Sequence, residues 1–125
     1  MEKIISELIN EAKKDKEILA VALFGSYGKK EKPEDIDLAL ILNVKKPKKE
    51  MSKIRLKYLS KFNSRLDINI FDQLPVYIKI QILKENRFLI IKDENKIYEV
   101  AFNTIKEFGS YKKIYDYYLQ NVKNG

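Results

Sequence analysis

The chain has 125 residues, 45% of them hydrophobic, which is the length and content of one compact domain with a modest core. It contains neither cysteine nor histidine, so disulfides, thiolate or imidazole metal sites, Ser-His-Asp triads and Cys-His pairs are excluded, and any catalysis must use carboxylates, lysine, tyrosine or a metal. A formal charge of +7 favours an anionic partner such as a nucleotide, RNA or an acidic protein surface, although a solvated lysine-rich surface accounts for it equally well.

The N-terminal stretch is charged throughout and lacks the apolar centre of a signal peptide, and no run approaches the roughly 18 apolar residues of a membrane span. A cytoplasmic protein with no membrane association is expected. Over residues 2–14, Ile4, Ile5, Leu8, Ile9 and Ala12 recur at helical spacing with charges between them, which predicts an amphipathic helix lying on a sheet. The run Ile18 to Phe24, closed by Gly25, predicts a central strand buried on both faces. A lysine-rich turn and helix start come next. Residues 35–42 then predict a second strand, with Asp35 and Asp37 on one face and Ile36, Leu38 and Leu40 on the other.

Residues 45–50 read as a charged linker, followed by a helix marked by Met51, Ile54, Tyr58, Leu59 and Phe62. In residues 65–71, Leu66, Ile68 and Ile70 oppose Arg65, Asp67 and Asn69, so a third strand carries a single acid. Pro75 suits the first turn of a helix carrying Val76, Ile80 and Leu83, and residues 88–91 predict a short fourth strand. From about Asn95 to Val122 a helical period persists through Gly109 and Ser110, predicting a long or broken helical tail. Its stripe of Tyr111, Ile114, Tyr115, Tyr118 and Val122 points to packing on the domain or on a partner rather than to base stacking. The order of elements predicts a single domain over residues 1–125 of the α/β (α+β) class, a small mixed sheet with flanking helices.

The chemistry is concentrated in residues 24–38. Gly25 can accept positive φ and let backbone amides approach a ligand, and Ser26 adds a hydroxyl at an expected helix N-terminus, which together suit a phosphate cradle. Asp35 and Asp37, two apart on a strand, can bridge hard divalent cations through oxygen, and Asp67 can complete the set from a neighbouring strand as metal ligand and proton acceptor. Lys29 and Lys30 are either phosphate contacts or solvated turn residues. Tyr27 could stack on a base, brace the turn or be exposed.

These residues resemble the minimal nucleotidyltransferases of the DNA polymerase beta-like superfamily, with their Gly-Ser, Asp-x-Asp and later third aspartate. The resemblance implies the polymerase beta-like fold, phosphate binding at Gly25 and Ser26, and Mg²⁺, as two ions, held by Asp35, Asp37 and Asp67 with ATP as substrate. It also implies an antitoxin that transfers AMP to a tyrosine of a separate HEPN-type ribonuclease toxin. The eight residues between Gly-Ser and Asp-x-Asp are fewer than the family's usual interval and hold no arginine, leaving Lys29 or Lys30 as the phosphate contact. That shortened loop motivates a second reading, a non-catalytic module that masks its partner. A third, transfer to RNA or a small molecule, is permitted by the charge and disfavoured by the absence of room for a substrate-binding domain.

Overall fold

The computed structural model describes residues 2–25, 36–62 and 66–124. Four strands form a mixed sheet in the order β3-β2-β1-β4, built from β1 (Ile18–Phe24), β2 (Ile36–Leu42), β3 (Leu66–Ile70) and β4 (Phe88–Ile91). β1 pairs antiparallel with both β2 and β4, and β2 pairs parallel with β3. The apolar run of β1 and the run Leu38–Leu42 of β2 fit these two interior positions, since each is covered on both faces. β4, whose four residues are all half-buried, takes an edge.

Helices α1 (Glu2–Lys14) and α2 (Lys48–Lys61) cover one face. There Leu8, Ala12, Ile54 and Tyr58 meet Ile36, Leu38, Leu40, Leu66, Ile68 and Ile70. Removing each such aliphatic side chain from water contributes roughly 1.5–3 kcal/mol. Helices α3 (Val76–Glu85) and α4 (Glu94–Asn124) cover the other face, where Ile82 and Ile97 pack with Ala20, Ala22, Ala39, Ile41 and Phe71. Small alanines on the central strands let these helices approach closely. The arrangement is the expected α+β one, with the expected mixed sheet.

Two details differ from the sequence reading. The linker after β2 is shorter than residues 45–50, because Pro47 caps α2 and the helix begins at Lys48. The fully buried residues of α3 are Val76, Lys79 and Ile82, whereas Leu83 packs half-buried against the same core and Ile80 is only half-buried. Lys79 belongs there because its ammonium stands 5.9 Å from the centroid of the Phe71 ring and reaches Glu107 Oε2 at 3.1 Å. Of the two forms expected for the tail, long or broken, the structure has the long one, a single helix of 31 residues continuous through Gly109 and Ser110. The helix start expected after Gly25 lies outside the described residues. Among the described residues, no helix is long and apolar enough to cross a membrane.

A polar strap joins the two helices of the first face. The Tyr58 hydroxyl, on a fully buried ring, donates to Asp15 Oδ2 at 2.8 Å, and the Glu17 amide donates to Asp15 Oδ1 at 3.0 Å. Burial pushes the Asp15 carboxyl up, but the Glu17 amide, the Tyr58 hydroxyl and the Lys57 ammonium outweigh it and hold the carboxyl below its ordinary value of 3.8. Burial, with Asp15 beside it, pushes the Tyr58 hydroxyl well above its ordinary value. A carboxyl depressed in the folded state contributes stability that is fully present above its ordinary value and lost as pH falls through the folded one. Tyr58→Phe is therefore expected to lose about 1.5–3 kcal/mol at neutral pH, read by urea unfolding, and to show a shallower loss of stability below about pH 4 than the parent.

Candidate active site

Strand alternation decides where the acids point. On β2 and β3 the residues Ile36, Leu38, Leu66 and Ile68 enter the core under α1 and α2, so Asp37 and Asp67 must face the opposite side. The parallel register sets Asp37 directly against Asp67, and on the other flank Phe24 pairs with Asp37. Neighbouring strands lie about 4.8 Å apart, so the two carboxylates repel by up to roughly 3 kcal/mol at an effective dielectric near 20, less where solvent screens them. Asp37 is half-buried, whereas the Asp67 side chain is 49% exposed at the rim.

Gly25 closes the third side. It leaves β1 with φ +74°, and a Cβ built there would overlap the Asp37 carboxylate, lying 3.1 Å from Cγ. Only glycine combines this backbone conformation with an acid so close. Gly25, Asp37 and Asp67 thus meet at one end of the sheet, each delivered by a different strand.

Two arginines absent from the sequence-level candidates also converge here. Arg55, on α2, donates from Nε to the Ile68 carbonyl at 2.8 Å and places Nη2 3.9 Å from Asp67 Oδ1. Arg87, just before β4, donates from Nη2 to the Gly25 carbonyl at 3.0 Å and to Glu85 Oε2 at 2.8 Å. The turn that presents Arg87 is set by Asn86, which has φ 54°. Arginine itself was the available signal: of 25 basic residues only Arg55, Arg65 and Arg87 are not lysine, and a planar fork is what carbonyl and carboxylate bracing require. Asn69, on the same face as Asp67, donates to the Asp67 carbonyl at 3.2 Å.

Of the other residues singled out in the sequence, Ser26, Lys29, Lys30 and Asp35 lie outside the described residues, as does Tyr27. Among the described residues no group of three acids could hold a metal. Asp37 and Asp67 nevertheless form an oxygen-only pair with no soft ligand nearby, which suits a hard divalent cation retaining several waters. A cavity of about 770 Å³ lies at the opposite end of β2, between α3 and α4. Its polar groups include Lys79 and Glu107, paired at 3.1 Å, and Lys96 and Asn43, paired at 2.9 Å. These contacts tie α4 to α3 and β2, and the acid pair is not among the lining residues.

Comparison with known proteins agrees with this geometry. The family described as polymerase beta, nucleotidyltransferase matches residues 6–95, a stretch containing Gly25, Asp37 and Asp67. A Methanocaldococcus jannaschii protein named as a protein adenylyltransferase is 36% identical over 84 residues. That alignment spans 66% of this chain and 62% of the relative, less than two thirds of its length. Among solved structures, a chain of the MntA–HepT toxin–antitoxin complex superposes with a TM-score of 0.67 at 15% identity, covering 98% of both chains. A chain of a toxin–antitoxin complex with AMP-PNP gives 0.66 at 18% identity over 97% of each. A third, from a tri-AMPylated Shewanella oneidensis HEPN toxin in complex with its MNT antitoxin, gives 0.65 at 16% identity over 98% of each. At these identities the superpositions speak to the fold, whereas the family match covers more than two thirds of the sequence: the chain belongs to the polymerase beta nucleotidyltransferase family.

Proposed function

We propose that residues 1–125 act as one minimal nucleotidyltransferase domain, a cytoplasmic antitoxin that transfers AMP from ATP to a tyrosine hydroxyl of a HEPN-type toxin. The observation that carries this reading is the in-register pair Asp37 and Asp67 with Gly25 packed against the first of them. It is supported by the naming of the Methanocaldococcus relative as a protein adenylyltransferase and by the toxin–antitoxin complexes that share the fold, one with AMP-PNP and one with an AMPylated toxin.

Asp37 and Asp67, joined by Asp35, are the residues to hold Mg²⁺, which when bound neutralises phosphate charge and lowers the pKa of an attacking hydroxyl. Gly25 admits the triphosphate to the backbone, with Ser26, Lys29 and Lys30 as the accompanying donors. Asp67, exposed at the rim, takes the phenolic proton as the tyrosine oxygen bonds to the α-phosphorus. The bond from that phosphorus to the bridging oxygen breaks, and pyrophosphate leaves. Arg87 fixes the Gly25 carbonyl and so the entry to the phosphate turn, and Arg55 keeps Asp67 oriented across the strand pair.

The test is thermal unfolding with ATP and Mg²⁺, separately and together, followed by incubation of the chain with a purified HEPN-type toxin and ATP labelled at either the α- or the γ-phosphate. Saturation at about 100 times Kd should raise stability by about 2.7 kcal/mol, roughly 5–15 °C in midpoint, only when both are present. Label should pass to the toxin from the α position alone. In the same assay Arg55→Met is expected to change stability by no more than about 1 kcal/mol, the pair being exposed, yet slow transfer about 10-fold. Absence of both the midpoint shift and the label would overturn the catalytic reading and leave a module that masks its partner.

A further inference from the structure

The positive charge of this chain is gathered at one end of the sheet. α1 ends at Lys14 and β1 starts at Ile18, while β4 runs antiparallel to β1 with Ile91 against Ala20, so the residues leaving β4 return beside those entering β1. The Lys92 amide donates to the Leu19 carbonyl at 3.0 Å and closes that end. Lys13, Lys14, Lys16, Lys92 and Lys96, all exposed, thereby line one groove of about 500 Å³ with Asp93 as its single acid. Five cations against one acid leave +4 there, more than half of the +7 that the whole chain carries.

Local structure accounts for only part of this cluster. Lys13 and Lys14 sit in the last turn of α1, where cations complement the helix dipole. Lys96 stands in the first turn of α4, at the positive end of that helix, where a cation is unfavourable. Asp93 Oδ1 accepts from the Asn95 and Lys96 amides at 3.0 and 3.3 Å, so its charge serves the same helix end. The ammonium groups of Lys92 and Lys96 are held by neutral oxygens, the Asp15 carbonyl at 2.7 Å and Asn43 Oδ1 at 2.9 Å. Asn43 is itself fixed by its amide on the Glu17 carbonyl at 2.7 Å. Among the described residues no ion pair engages any of the five lysines, so two of these charges are positioned without being neutralised.

The groove lies away from the acid pair, since Asn43 follows β2 about 20 Å along the strand from Asp37, which puts these lysines out of reach of phosphates held at the acids. The apolar residues beneath it, Ile18 and Leu19, are 0% and 2% exposed, so it offers charge without an apolar anchor. A protein interface is built around such an anchor, whereas a phosphate backbone is bound by cations alone. We propose that this groove binds the phosphodiester backbone of a nucleic acid without reading its bases. Lysine presents a point charge on a flexible stem, which meets phosphates whatever the sequence. The inference does not depend on nucleotide transfer at Asp37 and Asp67.

The experiment titrates the full chain into a fluorescent uridine oligonucleotide and, separately, a fluorescent mixed-sequence DNA duplex, reading anisotropy over a series of salt concentrations. Binding to both is expected with Kd of about 10⁻⁶–10⁻⁴ M, weakening as salt rises, and the polymer bound more tightly identifies the source of the backbone. Lys13→Gln combined with Lys16→Gln and Lys92→Gln should weaken binding at least about 10-fold and flatten the log–log salt slope by about 2. Lys53→Gln combined with Lys112→Gln and Lys113→Gln removes the same charge from exposed positions on α2 and the distal part of α4, and should leave affinity and slope unchanged. Circular dichroism and urea unfolding check that both triple variants keep the fold. Equal loss in the two variants would reduce the effect to net charge and overturn the proposal. So would the absence of salt-dependent binding to either polymer. Displacement of both polymers by a polyglutamate peptide at equal charge concentration would assign the groove to an acidic protein instead.

Discussion

Asp37→Asn is expected to reduce nucleotide transfer by at least about 10³-fold while leaving the unfolding midpoint of the ligand-free protein within a few degrees of the parent. The substitution preserves shape and the β2 backbone but removes one of two carboxylates that meet in register at the strand ends. In the proposed function a cation held there would supply several kcal/mol of transition-state charge stabilisation, and about 4 kcal/mol corresponds to that fold-change. The ligand-free midpoint tests folding, the midpoint with ATP and Mg²⁺ tests binding, and label transfer from ATP tests chemistry. Loss of the ligand-induced shift together with transfer is the expected result. Transfer within tenfold of the parent would remove Asp37 from the reaction and, with it, the observation on which the proposed function rests.

That prediction rests on a position readable from local pattern, and the other elements show how far such pattern reaches. Alternation along residues 36–42 and 66–70 places Asp37 and Asp67 away from the first core without any knowledge of the sheet. Their mutual register is another matter. β2 and β3 are joined through a whole helix, and nothing local to either strand states which residue of one will stand beside which residue of the other. The half-buried run Phe88–Ile91 likewise predicts a strand but not an edge, because its neighbour β1 lies far back in the chain.

Charged residues were the least legible. Lys79 is 8% exposed in the middle of α3, deeper than the half-buried Ile80, since a lysine stem is apolar and its ammonium finds Glu107 on a different helix. Arg55 and Arg87 look like any other basic residue of a lysine-rich chain. The partners of Arg55, Ile68 and Asp67, lie on β3, that of Arg87, Gly25, follows β1, and Arg87 lies 62 residues from Gly25. A guanidinium that braces a carbonyl and a carboxylate together acts on both through one rigid plane, which lysine cannot do. Both described arginines take that task at the same end of the sheet, so their scarcity in the sequence coincides with the place where rigidity matters for positioning the acids.

Gly25→Ala is expected to cost about 1–3 kcal/mol in stability and to abolish the rise in midpoint produced by ATP with Mg²⁺. Two separable effects contribute. A residue with a Cβ is strained at φ +74°, and that Cβ would occupy the space of the Asp37 carboxylate. A double-mutant cycle distinguishes them, because Asp37→Ala removes the obstructing carboxylate but leaves the backbone conformation as it was. In the Asp37→Ala background, Gly25→Ala should therefore cost only the conformational part, about 1 kcal/mol, with the difference appearing as coupling between the two positions. Urea unfolding of the four proteins measures it. An identical cost in both backgrounds would mean that the carboxylate yields freely to the new methyl group. Coupling of the expected sign would explain the glycine by its neighbour: the acid of β2 can stand beside the end of β1 only because the residue that follows Phe24 has no side chain.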